Sequence, residues 1–344
     1  MRDAESLSDR ERKVLEAVIE TYIATAEPAG SHTVARRSTL GISPASIRNT
    51  MGELEAKGYL FHPHASAGRI PTDRAYRMYV DAMVPHTPPD AEVREHLEIE
   101  LSASISSDDL LARAAQVLGI LTHELGVAVA PALDALVLER VDLVPVSSER
   151  LLLVLNLRSG TVRSIFVRLR GLIEQAEVEE VQRVLNERLG GLSLREVRST
   201  FSDRLRDATT SADVGELLDI IVAEGDGLFD LPDLRDEVLL GSASVLIEQP
   251  EFATTEQMRT LLTLTERRGL LREALADRKR EGLTITIGGE HLEPGLAGLT
   301  LVTSTYHRGG ATGVIGVLGP TRMPYDKIVG LVEHTGRLIE GLIQ

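Results

Sequence analysis

The sequence predicts a multidomain α+β protein: an N-terminal winged helix-turn-helix, then a mixed α/β domain with a mainly helical block inserted into it. Three observations carry this. A capped helix runs from Ser43-Pro44 to Gly58, with a short helix before it and a strand and a Gly/Pro-punctuated tip behind it. Strand-like runs at Leu136–Val144, Arg150–Leu157 and Thr161–Leu169 are followed by a helical stretch, and resume at Leu283–Ile287, Leu299–Tyr306 and Gly313–Leu318. The segment Pro85-His86-Thr87-Pro88-Pro89-Asp90 reads as a linker, because prolines stiffen a chain and forbid helix continuation. The expected division is 1–84 for the winged helix-turn-helix, 85–107 for a linker and helix, 108–171 with 250–344 for the mixed domain, and 172–249 for the insert.

The first helix opens with the capping-box pattern Ser8-Asp9-Arg10-Glu11 and carries Val14, Leu15, Val18, Ile19, Tyr22 and Ile23 on a helical period to about Ala26. Glu27-Pro28-Ala29-Gly30 breaks it, and Ser31 to Arg37 forms a second, short helix. Ser38-Thr39-Leu40-Gly41-Ile42 then gives helix-turn-helix spacing. In the third helix Ser43 can accept from free backbone N–H groups, and Pro44 loses nothing by lacking its own. Ile47, Met51 and Leu54 form one apolar stripe. Facing away are Ala45, Ser46, Arg48 and Asn49. Arg forks onto guanine, Asn onto adenine, and small residues let a helix N-terminus enter a major groove closely.

An ordinary amphipathic surface helix has the same pattern, so its neighbours decide the reading. Thr33, Arg36 and Arg37 on the preceding helix and Arg74 and Arg77 on the helix after the tip are placed to hold phosphates, and His62, His64 and Arg69 to act from the wing. The chain carries a formal charge of −15, which opposes DNA binding, but residues 31–80 hold seven Lys/Arg against three acids. The basic patch coincides with the motif.

The later helical pattern runs to about Leu101, then from Asp108 to Leu125, then from about Leu172 to Gly190, from Ser193 and through Val214–Val222. A helix over Thr254–Arg278 is grouped with the second set of strands, and Tyr325–Ile343 closes the chain as an amphipathic helix. With no cysteine, disulfides and thiolate chemistry are excluded. No apolar run is long enough for a membrane span, and the expected location is the cytoplasm. His307 to Pro320 is rich in glycine but lacks the Gly-Lys-Ser/Thr of a phosphate loop, so a tight hairpin with close strand packing is the better reading, with nucleotide binding the alternative. His62 and His64 lack a third ligand at useful spacing, and no acid/base or nucleophile constellation is present. No catalytic centre, metal or cofactor is expected.

The stretches Ile42-Ser43-Pro44-Ala45-Ser46-Ile47-Arg48-Asn49-Thr50-Met51 and Leu54-Glu55-Ala56-Lys57-Gly58-Tyr59-Leu60 resemble the bacterial heat-inducible transcription repressor HrcA family. Pro63-His64-Ala65-Ser66-Ala67-Gly68-Arg69-Ile70-Pro71-Thr72-Asp73 does so most specifically, and Tyr76-Arg77-Met78-Tyr79-Val80 extends it. Gly288-Gly289-Glu290 and Gly313 to Tyr325 are similar to the family's C-terminal part. The resemblance implies that the mixed domain is GAF-like and the insert a dimerisation domain. It also implies a homodimeric repressor of chaperone operons, bound to an inverted-repeat operator in double-stranded DNA, kept active by the GroEL chaperonin and lost on heat stress. A ligand-responsive repressor with an effector in the GAF-like domain is the alternative, and a nucleotide-binding bifunctional enzyme a further one.

Overall fold

The computed structural model describes residues 7–64, 67–83, 88–131, 136–147, 149–158, 160, 162–169, 174–206, 217–222, 238–247, 249–254, 259, 263, 268–276, 282–308 and 311–343. Ala65 and Ser66 of the expected wing tip, Pro85 to Thr87 of the linker, Ser159, Thr161, Gly309, Gly310, and most of the expected helix Thr254–Arg278 lie outside these residues. So does the first part of the run Val214–Val222, of which 217–222 are helical.

Helices α1 (Asp9–Thr25), α2 (Ser31–Arg37) and α3 (Pro44–Ala56) are followed by the two-residue strands β1 (Leu60–Phe61) and β2 (Ile70–Pro71), then α4 (Asp73–Met83). Ser8 caps α1 reciprocally with Glu11, and Val14, Leu15, Val18 and Ile19 are buried. α1 packs on α2 and α3, whose Val34 and Ile47, Met51 and Leu54 are buried as well, so the stripe that the sequence marks out is the face that leaves water. β1 and β2 pair antiparallel, Leu60 opposite Pro71 and Phe61 opposite Ile70.

Two compact units divide the chain. The first holds residues 1–128, 239–305 and 315–339. Beyond α4 it contains α5 (Ala91–Ser102), α6 (Ser107–Thr122), α9 (Arg268–Ala276), most of α10 (Tyr325–Leu342) and most of a five-stranded sheet. That sheet has the order β7 (Val238–Leu240), β3 (Leu125–Val129), β10 (Ala311–Pro320), β9 (Leu299–Arg308), β8 (Thr284–Ile287). β3 and β10 are almost wholly buried, as central strands covered on both faces must be. α10 buries Ile328, Val329, Val332 and Ile339, and its Gly336 lies against Ser304 of β9.

The second unit holds residues 129–238, 306–314 and 340–344. Here β4 (Leu138–Ser147), β5 (Arg150–Leu157) and β6 (Val162–Arg168) form a separate antiparallel sheet in that order. Leu143, Leu153, Leu155 and Val167 of the sheet share a core with Val178, Val181 and Leu185 of α7 (Gln175–Leu189) and Val197 and Phe201 of α8 (Leu194–Arg206). The β4 edge is satisfied by α7: Asn186 accepts from Val141 N–H at 2.8 Å and donates to its carbonyl at 2.7 Å, and Gln182 accepts from Leu143 N–H at 2.8 Å.

Two expectations change. The expected strands over 136–169 belong with those after residue 283 in the sequence pattern; among the described residues β4, β5 and β6 pair instead only with one another and pack on α7 and α8. The sequence carries the expected helix to Leu125 and places no strand between the wing and residue 136 or between 172 and 249, yet β3 and β7 lie in those gaps. Leu125–Val129 is a short continuous apolar run, and such a run has no periodicity to separate strand from helix.

Candidate nucleic-acid interface

Ser43 caps α3, accepting from Ser46 N–H at 3.2 Å, with Pro44 in the first turn. Ile47, Thr50, Met51 and Leu54 face inward, while Ala45, Arg48 and Asn49 are exposed and Ser46 half-exposed. Among the described residues the Arg48 and Asn49 side chains make no hydrogen bond or ion pair. Arg36 and Arg37, at the end of α2, are equally exposed and equally uncommitted among those residues, and Thr33 is half-buried one turn earlier. Free guanidinium and amide groups therefore project from two successive helices.

The ribbon behind α3 is pinned by one carboxylate. Glu55, in the last turn of α3, pairs with His62 Nδ1 at 2.8 Å and Arg69 Nη2 at 3.0 Å, one group from each arm of the β1–β2 segment. Arg69 also exchanges both backbone hydrogen bonds with Ala29, at 2.8 and 2.9 Å. Gly68 permits that approach, since a Cβ there would overlap the Pro28 carbonyl oxygen. His64 is exposed beyond this anchor. Thus His62 and Arg69 are engaged at the ribbon base, and His64 stands free toward its tip.

Arg74 and Arg77 differ from each other. Arg74 donates to the Lys57 carbonyl at 2.8 Å and lies 4.5 Å over the Tyr59 ring, with its side chain still exposed. Arg77 donates from Nε and Nη2 to the Glu290 carboxylate at 2.8 and 2.6 Å, from Nη2 to the Ile285 carbonyl at 2.6 Å, and from Nη1 to Asp81 at 3.0 Å. Glu290 pushes the Arg77 guanidinium further above its usual range. The side chain expected at a phosphate is here committed within the chain.

That commitment belongs to a set of contacts absent from the sequence reading. Asp73 accepts from Gly289 N–H at 2.8 Å, and Gly288, at φ 49°, brings its Cα against the same carboxylate where any Cβ would overlap it. Tyr325 packs its ring 5.9 Å from Tyr76 and 6.4 Å from Tyr79. Arg322 forks onto Glu251 at 2.6 and 3.0 Å and donates to the Ile23 carbonyl at the end of α1 at 2.9 Å. The motifs Gly288-Gly289-Glu290 and Thr321-Arg322-Met323 were visible, but nothing local says that their partners lie more than 200 residues away.

Among the described residues no group of three or more His, Asp or Glu is placed to hold a metal, and no helix is long and apolar enough to cross a membrane. Gly313 sits in β10 with its Cα against the Tyr306 ring, and Gly316 against the Val302 carbonyl, so both serve close packing.

Comparison with known proteins adds a second line. Residues 108–329 match the family model described as the HrcA protein C-terminal domain. The heat-inducible transcription repressor HrcA of Chlorobium luteolum is 39% identical over 342 residues, covering 95% of each chain. That of Chlorobaculum tepidum is 38% identical over 350 residues, covering 98% of each. A crystal structure described as that of a hypothetical protein at 2.2 Å resolution shares the fold, with a TM-score of 0.57, 24% identity, and coverage of 98% of this chain and 97% of that one.

Proposed function

The chain belongs to the heat-inducible transcription repressor HrcA family, and on that premise we propose that it represses chaperone operons as a homodimer on an inverted-repeat operator in double-stranded DNA, its activity maintained by a GroEL-type chaperonin and lost on heat stress. This is a family of transcription repressors, not enzymes. In this reading residues 9–83 are a winged helix-turn-helix, the five-stranded sheet and its helices are a GAF-like domain, the inserted part pairs the two copies, and the protein works in the cytoplasm.

The observation that carries the reading is the outward face of α3, where Arg48, Asn49 and Ala45 stand exposed above a fully buried Ile47 and Leu54. Ala45, Ser46, Arg48 and Asn49 read base edges in the major groove. Thr33, Arg36, Arg37 and Arg74 hold phosphates, and His64, Arg69 and His62 act from the wing, the last two through its base. Arg77 joins that phosphate set only on release from Glu290. Pairing of copies through the second unit is supported by the outer face of its sheet, where Val144 and Phe166 lie in one cross-strand row through Leu152 and are 45% and 60% exposed.

Binding of the purified chain to a labelled chaperonin-promoter inverted repeat, against scrambled DNA at fixed salt and with or without chaperonin, tests this. Selective binding that rises with chaperonin is expected. Arg48→Ala is expected to relax sequence choice by about 1–3 kcal/mol at one position, and Arg37→Ala to weaken all sequences alike. Equal, weak binding to both DNAs under every condition refutes the repressor reading.

A further inference from the structure

Among the described residues of the first unit, hydrogen bonds tie residues 9–83 to the remainder at three points that do not lie on one element. The start of α4 is held by Asp73 on the Gly288-Gly289 turn. The middle of α4 is held by Arg77, forked onto Glu290 and bonded to the Ile285 carbonyl. The end of α1 is held by Arg322, which grips Glu251 with one edge of its guanidinium and the Ile23 carbonyl with the other. Between them lie the buried rings of Tyr76 and Tyr325. Guanidinium–carboxylate forks fix direction as well as distance, because two parallel bonds allow no swivel. One such fork, Arg77 on Glu290, crosses to α4, and single hydrogen bonds at Asp73 and at the Ile23 carbonyl flank it, so the attachment is spread over two helices and opposes rotation of the α1–α4 segment about any one of its points.

We propose that this clamp is a specificity determinant for the spacing of the operator half-sites. It rests on the reading of the protein as a dimeric repressor. When two copies pair, the clamp fixes the attitude of each α3 on the remainder of its own first unit, and so narrows the distances and angles at which the two α3 helices can present themselves. Arg77, Arg322, Glu290 and Glu251 are then positioning residues: they set which spacer length is accepted without touching a base. Lengthening a spacer by two base pairs turns one half-site by about 70° about the duplex axis, given about 10–10.5 base pairs per turn. A rigidly held reading helix cannot follow that rotation, whereas a hinged one follows it at little cost.

The experiment measures affinity of the full-length chain for inverted repeats with identical half-sites and spacers of natural length, two base pairs shorter and two longer. Glu290→Gln removes the charge on which Arg77 forks, and Arg322→Lys keeps the charge beside Glu251 but not the two-edged grip. In the unaltered chain the changed spacers are expected to cost about tenfold or more, since one lost base-reading contact already costs that much. In both variants that cost is expected to fall to about threefold or less, with the pattern of base preferences inside each half-site unchanged. A variant that merely folds less well loses affinity for all three spacers in proportion, so the ratio isolates the clamp. An unchanged spacer ratio in both variants overturns the proposal. So does a uniform gain of affinity with steeper salt dependence in Glu290→Gln, which makes Arg77 a freed phosphate ligand. If the unaltered chain does not separate inverted repeat from scrambled DNA, the repressor reading falls and this proposal with it; selective, spacer-dependent binding that the variants retain removes the clamp alone.

Discussion

Lys57 Nζ lies 2.7 Å from Glu11 Oε1, so the end of α3 is tied to the first turn of α1. Glu11 is at the same time the return partner of the Ser8 cap, accepting from Ser8 N–H and Oγ–H at 2.8 Å each. One carboxylate thus sets the start of the scaffold helix and the attitude of the helix that carries Arg48 and Asn49. Lys57, Ser8 N–H and the Ser8 hydroxyl hold its carboxyl down at about 2.

A carboxylate depressed in the folded state stabilises the fold above its unfolded pKa, and that contribution is lost as pH falls toward the folded value. The window for Glu11 is therefore from about pH 4.5 down to about 2. Glu11→Gln is expected to lower the melting temperature at pH 7 and to flatten its decline between those limits. Thermal melts of both chains across that range check this, and parallel curves would remove Glu11 from the acid response.

Glu124 behaves in the opposite sense. Burial pushes its carboxyl up to about 9, with Gln249 donating to it at 3.1 Å and the Gly319 Cα against it. A raised carboxyl makes the folded chain bind more protons than the unfolded one, so stability declines from about pH 4.5 to about 9. Glu124→Gln keeps an acceptor for Gln249 and has no proton to lose. It is expected to stabilise the protein by roughly 1–3 kcal/mol at pH 7, by on the order of zero at pH 4, and to remove the slope between. Urea unfolding at the two pH values decides it.

Gly316 separates packing from nucleotide binding in the glycine-rich strand. A Cβ there would overlap the Val302 carbonyl oxygen of the adjacent strand, a backbone atom that cannot rotate away. Gly316→Ala is expected to cost about 1–3 kcal/mol of stability, as overpacking in a core does. Added nucleotide is expected to leave the melting temperature of either chain unchanged; a rise on addition would restore the nucleotide reading.

How much was legible follows the range of the interaction. The α3 helix could be read because Ser43, Pro44 and the Ile47, Met51, Leu54 stripe are local signals, each within a few turns of the others. β5 and β6 could be read as a hairpin because Val, Leu and Ile runs flank a short turn. Their sheet membership could not, since β4–β6 and β8–β10 carry the same kind of pattern and only tertiary pairing separates them. β7 is three residues long and leaves no period at all. At the candidate interface, Arg36, Arg37, Arg48 and Asn49 are exposed, which an amphipathic period foretells. Arg77 sits on the same type of helix beside another arginine, yet its partner is 213 positions away. Composition sees the charge; it does not see who neutralises it.

The same distinction governs Glu55, whose negative charge lies on the basic face. In isolation such a carboxylate weakens DNA binding by repelling phosphate, and removing it would strengthen every complex. The structure gives it a second task, because His62 and Arg69 both close on it and fix the ribbon to α3. Glu55→Gln retains one acceptor but not the Arg69 ion pair. Non-specific affinity is therefore expected to rise, since a repulsive charge is gone and the Arg69 guanidinium is released. Operator affinity is expected to fall, since the wing no longer holds one attitude beside the reading helix. The ratio of operator to scrambled-DNA affinity should drop by about tenfold, comparable to the loss of one good base contact. Filter binding on both DNAs at two salt concentrations separates the effects. Equal gains on operator and scrambled DNA would mean that Glu55 acts only as a charge and that the ribbon keeps its place without it.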